Sequence, residues 1–168
     1  MPTSIQGVNP AENEFLAGLE ARTKRPNAFF RTMAHRPEVL KNFVPLYGSI
    51  MGNGAVHSRV KELVYLTCSY TNRCAFCLAA HTATAPKSGV TPEEMRAIQA
   101  CDEAPFSAPE RAAIAYAREL ARTAAAAESR EALFAHFNQE QVVEITLVAA
   151  LANFTNRFNN GLQILPEA

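Results

Sequence analysis

The chain has 168 residues, 48% of them apolar, with 16 basic side chains against 16 acidic ones and a pI near 6.9. That length favours one domain, 1–168, with apolar matter enough for a full core. The balanced charge removes the electrostatic argument for a nucleic-acid partner. No stretch approaches about 18 consecutive apolar residues, so no membrane contact is expected. The leading residues, Met-Pro-Thr-Ser-Ile-Gln-Gly, lack the apolar core of an export signal. A cytoplasmic, reducing setting follows as the expectation. There, close cysteine pairs are more often redox-active or metal-binding than structural.

In chain order, residues 1–10 read as an arm. Pro10 followed by Ala-Glu-Asn-Glu opens a helix carrying Phe15, Leu16 and Leu19. Pro26 opens a short second helix with Phe29, Phe30 and Met33. Pro37 opens a third with Val39, Leu40, Phe43, Val44 and Leu46, which Pro45 is expected to kink or split. Gly48, Gly52 and Gly54 break regularity. Ser58 is the expected N-cap of a helix bearing Val60, Leu63, Val64 and Thr67 on one face, with Glu62, Leu66 and Ser69 beside it. Asn72-Arg73 interrupts it. A new helix starts near Cys74 and ends around Ser88-Gly89. Thr91-Pro92-Glu93-Glu94 is a helix start with cap, proline and acids in place. Residues 102–109 form a loop. Alanine-rich helix follows to about Ala126, a short one spans about Glu131–Phe137, and a largely apolar one spans Gln139 to about Asn159. The last is expected to be central and buried. No alternating strand is found, and the class is all-α.

Two segments echo each other. Val60 to Leu66 is similar to Val142 to Val148, and Tyr70-Thr-Asn-Arg-Cys74 to Phe154-Thr-Asn-Arg-Phe158. Either a helical hairpin was duplicated or two buried helices converged on similar residues.

Reactive side chains concentrate between Glu62 and His81. With Cys74 in the first turn of a helix, Cys77 (i+3) and His81 (i+7) share its face. The helix N-terminus stabilises a thiolate. A second cysteine within reach can convert a sulfenic acid to a disulfide before further oxidation. His81 can take a proton from Cys77, directly or through water, and Glu62 on the preceding helix can orient His81. Zinc is an alternative reading of the cysteine pair. It needs four ligands, and no second CxxC or His pair follows. A purely structural pair is another. Leu78 stands where a c-type haem motif requires histidine. No cofactor or metal is expected. Cys68 reads as a small buried apolar residue, and Cys101 has no assigned role. His35, His57 and His136 read as surface or cap residues. Tyr65 and Tyr70 are candidates to line a pocket. Glu144, in an apolar helix, needs a partner, with Arg157 or a neighbouring subunit able to supply it.

Glu62, Cys74-x-x-Cys77 and His81 together resemble the signature of the alkylhydroperoxidase D-like superfamily, which includes the carboxymuconolactone decarboxylase-like proteins. Ser58 to Val64, Gly89-Val-Thr-Pro-Glu-Glu94, Pro109 to Ala117 and Gln141 to Leu147 extend the similarity. It covers most of 37–160, with 1–36 as a helical extension. The resemblance implies an all-α fold with the CxxC at a helix N-terminus, and homo-oligomers, often trimers or hexamers. It also implies peroxiredoxin-like antioxidant activity on a hydroperoxide, with re-reduction by a dithiol or lipoyl-type protein. By the same resemblance Cys77 attacks, Cys74 resolves, and His81 and Glu62 form the proton relay. The helix dipole alone would favour Cys74 as the more acidic thiol; the relay favours Cys77 and is followed here. The residue before the second cysteine, a histidine in that hydroperoxidase, is Phe76 here, so one relay member is missing. Rival expectations are a thiol–disulfide oxidoreductase, a lactone-processing enzyme of the same family, or a non-enzymatic redox-sensing oligomer.

Overall fold

The computed structural model describes residues 5–166. The arm expected over 1–10 is therefore met from Ile5 onward, residues 1–4 lying outside the described residues. That arm lies along the second helix, where Val8 N donates to the Arg31 carbonyl (3.0 Å) and His35 Nε2 to the Gln6 carbonyl (2.8 Å).

Helices make up the fold, and no strand occurs among the described residues. They are α1 (Glu14–Thr23), α2 (Ala28–Met33), α3 (Pro37–Met51), α4 (Ser58–Thr71), α5 (Ala75–Thr84), α6 (Pro92–Ala100), α7 (Ala108–Thr123), α8 (Arg130–His136) and α9 (Gln139–Leu162). Capping chemistry explains where they begin. Asn13, Asn27 and Asn138 each accept from a backbone N–H three residues on. The first helical segment is consequently divided: Pro10–Glu12 is a 3-10 turn, and α1 starts only after Asn13. Thr91 with Glu94 and Ser107 with Glu110 close reciprocal capping boxes at α6 and α7.

Three expectations change. His57, not Ser58, caps α4, because its Nδ1 accepts from Arg59 N at 3.2 Å. Pro45 neither splits nor ends α3, which runs unbroken to Met51. The helix of the cysteines stops at Thr84, where Pro86 turns the chain into a 3-10 turn over Ala85–Ser88. That turn ends on Gly89, whose φ of 77° is the left-handed cap.

The centre of the molecule is α4 rather than α9. Every residue from Lys61 to Ser69 is buried. Val64, Tyr65 and Cys68 enter a large core with Leu16, Phe29, Leu40, Phe43, Ala117 and Val148. Leu63 and Leu66 enter a second core with Val90, Met95, Ile98, Phe106 and Ile114. The single apolar face expected for α4 is thus replaced by burial on all sides. Helix α9 packs on α4 through Val142, Ile145, Val148, Ala149 and Ala152, but leaves Val143, Leu147 and Phe154 exposed. The two echoing segments meet at this contact: Asn72 Nδ2 donates to Asn156 Oδ1 at 2.9 Å.

Glu144 is paired with Lys61 rather than Arg157. Lys61 is 1% exposed, and its Nζ also donates to the carbonyls of Ile50 (2.9 Å) and Gly52 (2.7 Å). Glu144 accepts from Val56 N at 2.9 Å. This cluster ties the α3–α4 loop to α9. Gly54 fits closely there: a Cβ at this position would run into the Glu144 carboxylate, which would have to shift from its partners. Arg157 instead reaches Asn153 and the Ala121 carbonyl.

Candidate active site

The α4–α5 corner sets the cysteines. Arg73 takes a left-handed φ of 53°, and Cys74 N donates to the Ser69 carbonyl at 3.0 Å. Cys74 thereby becomes the N-cap of α5 rather than a first-turn residue: its Sγ accepts from Cys77 N at 3.4 Å. Cys77 occupies the third position of the helix, within reach of the positive end of its dipole. Both thiols are free and buried, and their sulfurs lie 2.7 Å apart.

Only one of them faces a cavity. A pocket of about 100 Å³ is lined by Cys77, His81, Tyr47, Tyr65, Asn159 and the rings of Phe29, Phe30, Phe43 and Phe76. Cys77 is 3% exposed, and Cys74, absent from that lining, is 0%. Hydrogen bonding from the Cys74 thiol is the largest influence on Cys77. It outweighs burial and, with Asn156, Asn159 and Thr155, brings the Cys77 thiol down to about 6. The same contact holds Cys74 far above the usual thiol range, with burial adding to it. One shared proton therefore sits on Cys74, and the negative charge on Cys77. The dipole argument that singled out Cys74 is outweighed: Cys74 Sγ does accept a helix N–H as the cap, but its thiol donates to Cys77 Sγ, and that contact raises Cys74 and lowers Cys77.

His81 lies on the face of α5 opposite Glu62 of α4. Its Nδ1 is 2.9 Å from Glu62 Oε1, and its ring stacks on Tyr65 with centroids 3.8 Å apart. A carboxylate accepts only, so Nδ1 carries the proton and Nε2 is left to accept from the Tyr47 hydroxyl at 3.3 Å. Burial, then the charges of Glu62 and Cys77, push the Tyr47 phenol well above its ordinary value, so it stays a donor. The structure thus brings Glu62, Cys74, Cys77 and His81 into one cluster, of which Cys77 and His81 line the pocket. The imidazole's hydrogen bond runs to Tyr47 rather than directly to Cys77. Tyr65 lines the pocket and donates to or accepts from Thr155 Oγ1 at 2.5 Å; Tyr70 does not line it. Phe76 fills the position before Cys77 with an aromatic wall, 6.3 Å between its ring centroid and that of Phe29. Tyr47 and Asn159 were not identified from the sequence. Among the described residues no three His, Cys, Asp or Glu side chains converge as a metal-binding group. No described helix is long and apolar enough to cross a membrane.

Elsewhere, burial raises the Cys68 thiol to about 12, where it is inert. Cys101 is exposed at the end of α6. His35 and His136 lie at the surface.

Residues 37–119 match the carboxymuconolactone decarboxylase family. The uncharacterized protein YdfG of Bacillus subtilis (strain 168) is 28% identical over 109 residues, 62% of this chain and 74% of that protein. A protein of unknown function from Agrobacterium tumefaciens, offered as a candidate AhpD antioxidant defence protein, superposes with a TM-score of 0.71 at 28% identity. That superposition covers 80% of this chain and 95% of that one. The fold is also that of the debrominase Bmp8 without ligand, with a TM-score of 0.85 at 21% identity, over 100% of this chain and 94% of that one. This all-α chain, with its CxxC at a helix N-terminus, is thus similar over residues 37–119 to the carboxymuconolactone decarboxylase family and in fold to an AhpD-like protein.

Proposed function

We propose that the protein is a cofactor-independent thiol peroxidase that reduces organic hydroperoxides. One observation carries this reading: Cys77, the acidified thiol, lines the apolar cavity, while Cys74 holds the remaining proton 2.7 Å behind it. The Cys77 thiolate attacks the terminal oxygen of ROOH. The S–O bond forms as the O–O bond breaks, and the leaving alkoxide takes a proton to become ROH. The Tyr47–His81–Glu62 chain is placed to deliver that proton and recover it from solvent. Cys74 then attacks the Cys77 sulfenic acid, releasing water and forming the Cys74–Cys77 disulfide. A dithiol reductant restores both thiols and leaves as its own disulfide.

Burial bears on the rivals. A thiol that is 3% exposed behind aromatic rings is closed to the disulfide of a folded protein. A slender dithiol or lipoyl-type arm fits better as the reductant. A homo-oligomer, trimer or hexamer, is proposed on the exposed apolar residues Val143, Leu147 and Phe154 of α9 and Leu46 of α3, which want a covering surface. Light scattering on the purified chain tests it, and a monomer at micromolar concentration would refute it.

The test of the function is consumption of cumene hydroperoxide with dihydrolipoamide as reductant. Wild type should turn over, and Cys77→Ser should not. Full turnover by Cys77→Ser contradicts the reading, as does stoichiometric oxidation of wild type with no turnover under any dithiol.

A further inference from the structure

The proposed cycle leaves one buried side chain half used. Asn159, on α9, is 1% exposed, and its Nδ2 donates to Cys77 Sγ at 3.3 Å. Its Oδ1 is the buried side-chain oxygen or nitrogen that finds no partner among the described residues. The neighbouring amide of the same helix shows the contrast: Asn156 donates to Ser69 Oγ (3.1 Å) and accepts from Asn72 (2.9 Å). An orphaned buried acceptor is costly, and native structures rarely keep one without use. The amide orientation is set by Cys77, since only the NH2 group can donate to a thiolate. Asn159 also lines the cavity, otherwise walled near it by Phe29, Phe76 and Tyr65. A partnerless acceptor on a residue that lines an apolar cavity, one amide away from the nucleophile, fits a ligand with a single hydrogen-bond donor on an apolar body.

We propose that Asn159 positions the hydroperoxide. Its Nδ2 holds the Cys77 sulfur, and its Oδ1 accepts the O–H of ROOH, setting the terminal oxygen beside Sγ. This rests on the peroxidase reading and deepens it to a substrate class: organic hydroperoxides with a compact apolar group, rather than charged or strongly polar peroxides. The step balances without a further reagent. The sulfur lone pair forms the S–O bond, the O–O pair departs on RO⁻, and the O–H held by Asn159 stays on the new sulfenic acid. Asn159 supplies alignment and leaves protonation of RO⁻ to the tyrosine side of the pocket.

The experiment compares two reactions of the reduced protein at a pH where Cys77 is fully ionised: oxidation by cumene hydroperoxide, and alkylation by iodoacetamide, which needs a thiolate but no O–H acceptor. Asn159→Leu should slow the first roughly tenfold to a hundredfold, the range for losing one hydrogen bond to a buried partner, and leave the second within about twofold. Asn159→Gln keeps both the amide donor and the acceptor oxygen and should keep the wild-type ratio of the two rates. It serves as the reading if the leucine variant does not fold by circular dichroism. Equal losses in both reactions, loss in neither, or a glutamine variant as unselective as the leucine one overturns the proposal. Wild type inert to every hydroperoxide would refute the peroxidase reading separately. The thiolate absorbance titration then decides for Asn159. An upward move of Cys77 ionisation by about one pH unit in a folded variant keeps it as the residue that holds the sulfur; an unmoved titration removes it.

Discussion

The Cys74 thiol donates its hydrogen to Cys77 Sγ across 2.7 Å, so the two cysteines of one CxxC have opposite acidities. The reacting form of Cys77 is the charged one. With its ionisation lowered to about 6, the rate of reaction with hydroperoxide should rise as pH climbs through about 6 and level off above about 7. Cys74→Ala removes the largest stabiliser of that charge. Its rising limb should move to higher pH, by about one unit or more. Stopped-flow oxidation across pH checks both curves; coincident limbs would remove Cys74 as the donor.

The proton chain makes a separate prediction. Tyr47→Phe keeps the ring that packs near Phe43 and Tyr65 and deletes the hydroxyl that meets His81 Nε2. Glu62→Gln can no longer hold Nδ1–H as a carboxylate does. Each should lower kcat/KM by roughly a hundredfold, within the range for a general acid–base group, with little change in iodoacetamide alkylation. Unchanged turnover in both variants would mean that solvent delivers the proton.

Lys61 and Glu144 carry a stability prediction. Lys61→Met strands a carboxylate that is 16% exposed, and the loss should be about 3 kcal/mol. For a chain of this size that lowers Tm by roughly 6–12 °C. Gly54→Ala drives a methyl into the Glu144 carboxylate and should cost about 1–3 kcal/mol. Because the two changes attack one cluster, their combination should cost less than the sum. Thermal unfolding of the three variants measures this, and strict additivity would contradict a shared cluster.

Arg59 joins α4 to the starts of α6 and α7, with Nη2 2.5 Å from Glu94 and Nε 2.6 Å from Glu110. The Arg59 contact is the main reason the Glu94 carboxyl lies below its ordinary value. Burial pushes Glu110 up, but Ser107 and Arg59 bring it below as well. Lowered carboxyls contribute stability that is complete above the unfolded value, about 4.3, and is lost as pH falls through the lower folded values. Arg59→Ala should therefore unfold more easily at neutral pH, by about 2 kcal/mol, and lose less on acidification below about pH 4. Parallel stability curves for wild type and variant would argue against the linkage.

The spacing of Glu62, Cys74, Cys77 and His81 was enough to place them together, because they lie on two consecutive helices joined by a tight corner. Tyr47 and Asn159 were hidden for a different reason. They come from α3 and α9, and periodicity within a helix does not say which residues of distant helices meet. A signal was available for one of them. Thr155, Asn156 and Asn159 are polar residues spaced to share one face in the second half of α9, and a buried polar face needs partners. The eminence given to α9 had the same root. Its apolar residues are more numerous than those of α4, yet Lys61, Glu62, Thr67 and Ser69 are buried because each finds a polar partner, which composition does not show. Pro45 stayed inside α3, and the corner at Arg73 made Cys74 a cap; both were settled by tertiary packing rather than local propensity.

Whether Cys77 attacks and Cys74 resolves is decided by chemical trapping. Reduced Cys74→Ser protein is given one equivalent of cumene hydroperoxide with a sulfenic-acid trap, and wild type is treated in parallel; both are mapped by peptide mass spectrometry. Trapped sulfenic acid should appear on Cys77 in the variant, and in wild type a Cys74–Cys77 disulfide that dihydrolipoamide reverses. Thiols that stay reduced in both proteins, or Cys74 as the oxidised residue in a Cys77→Ser control, would contradict these roles.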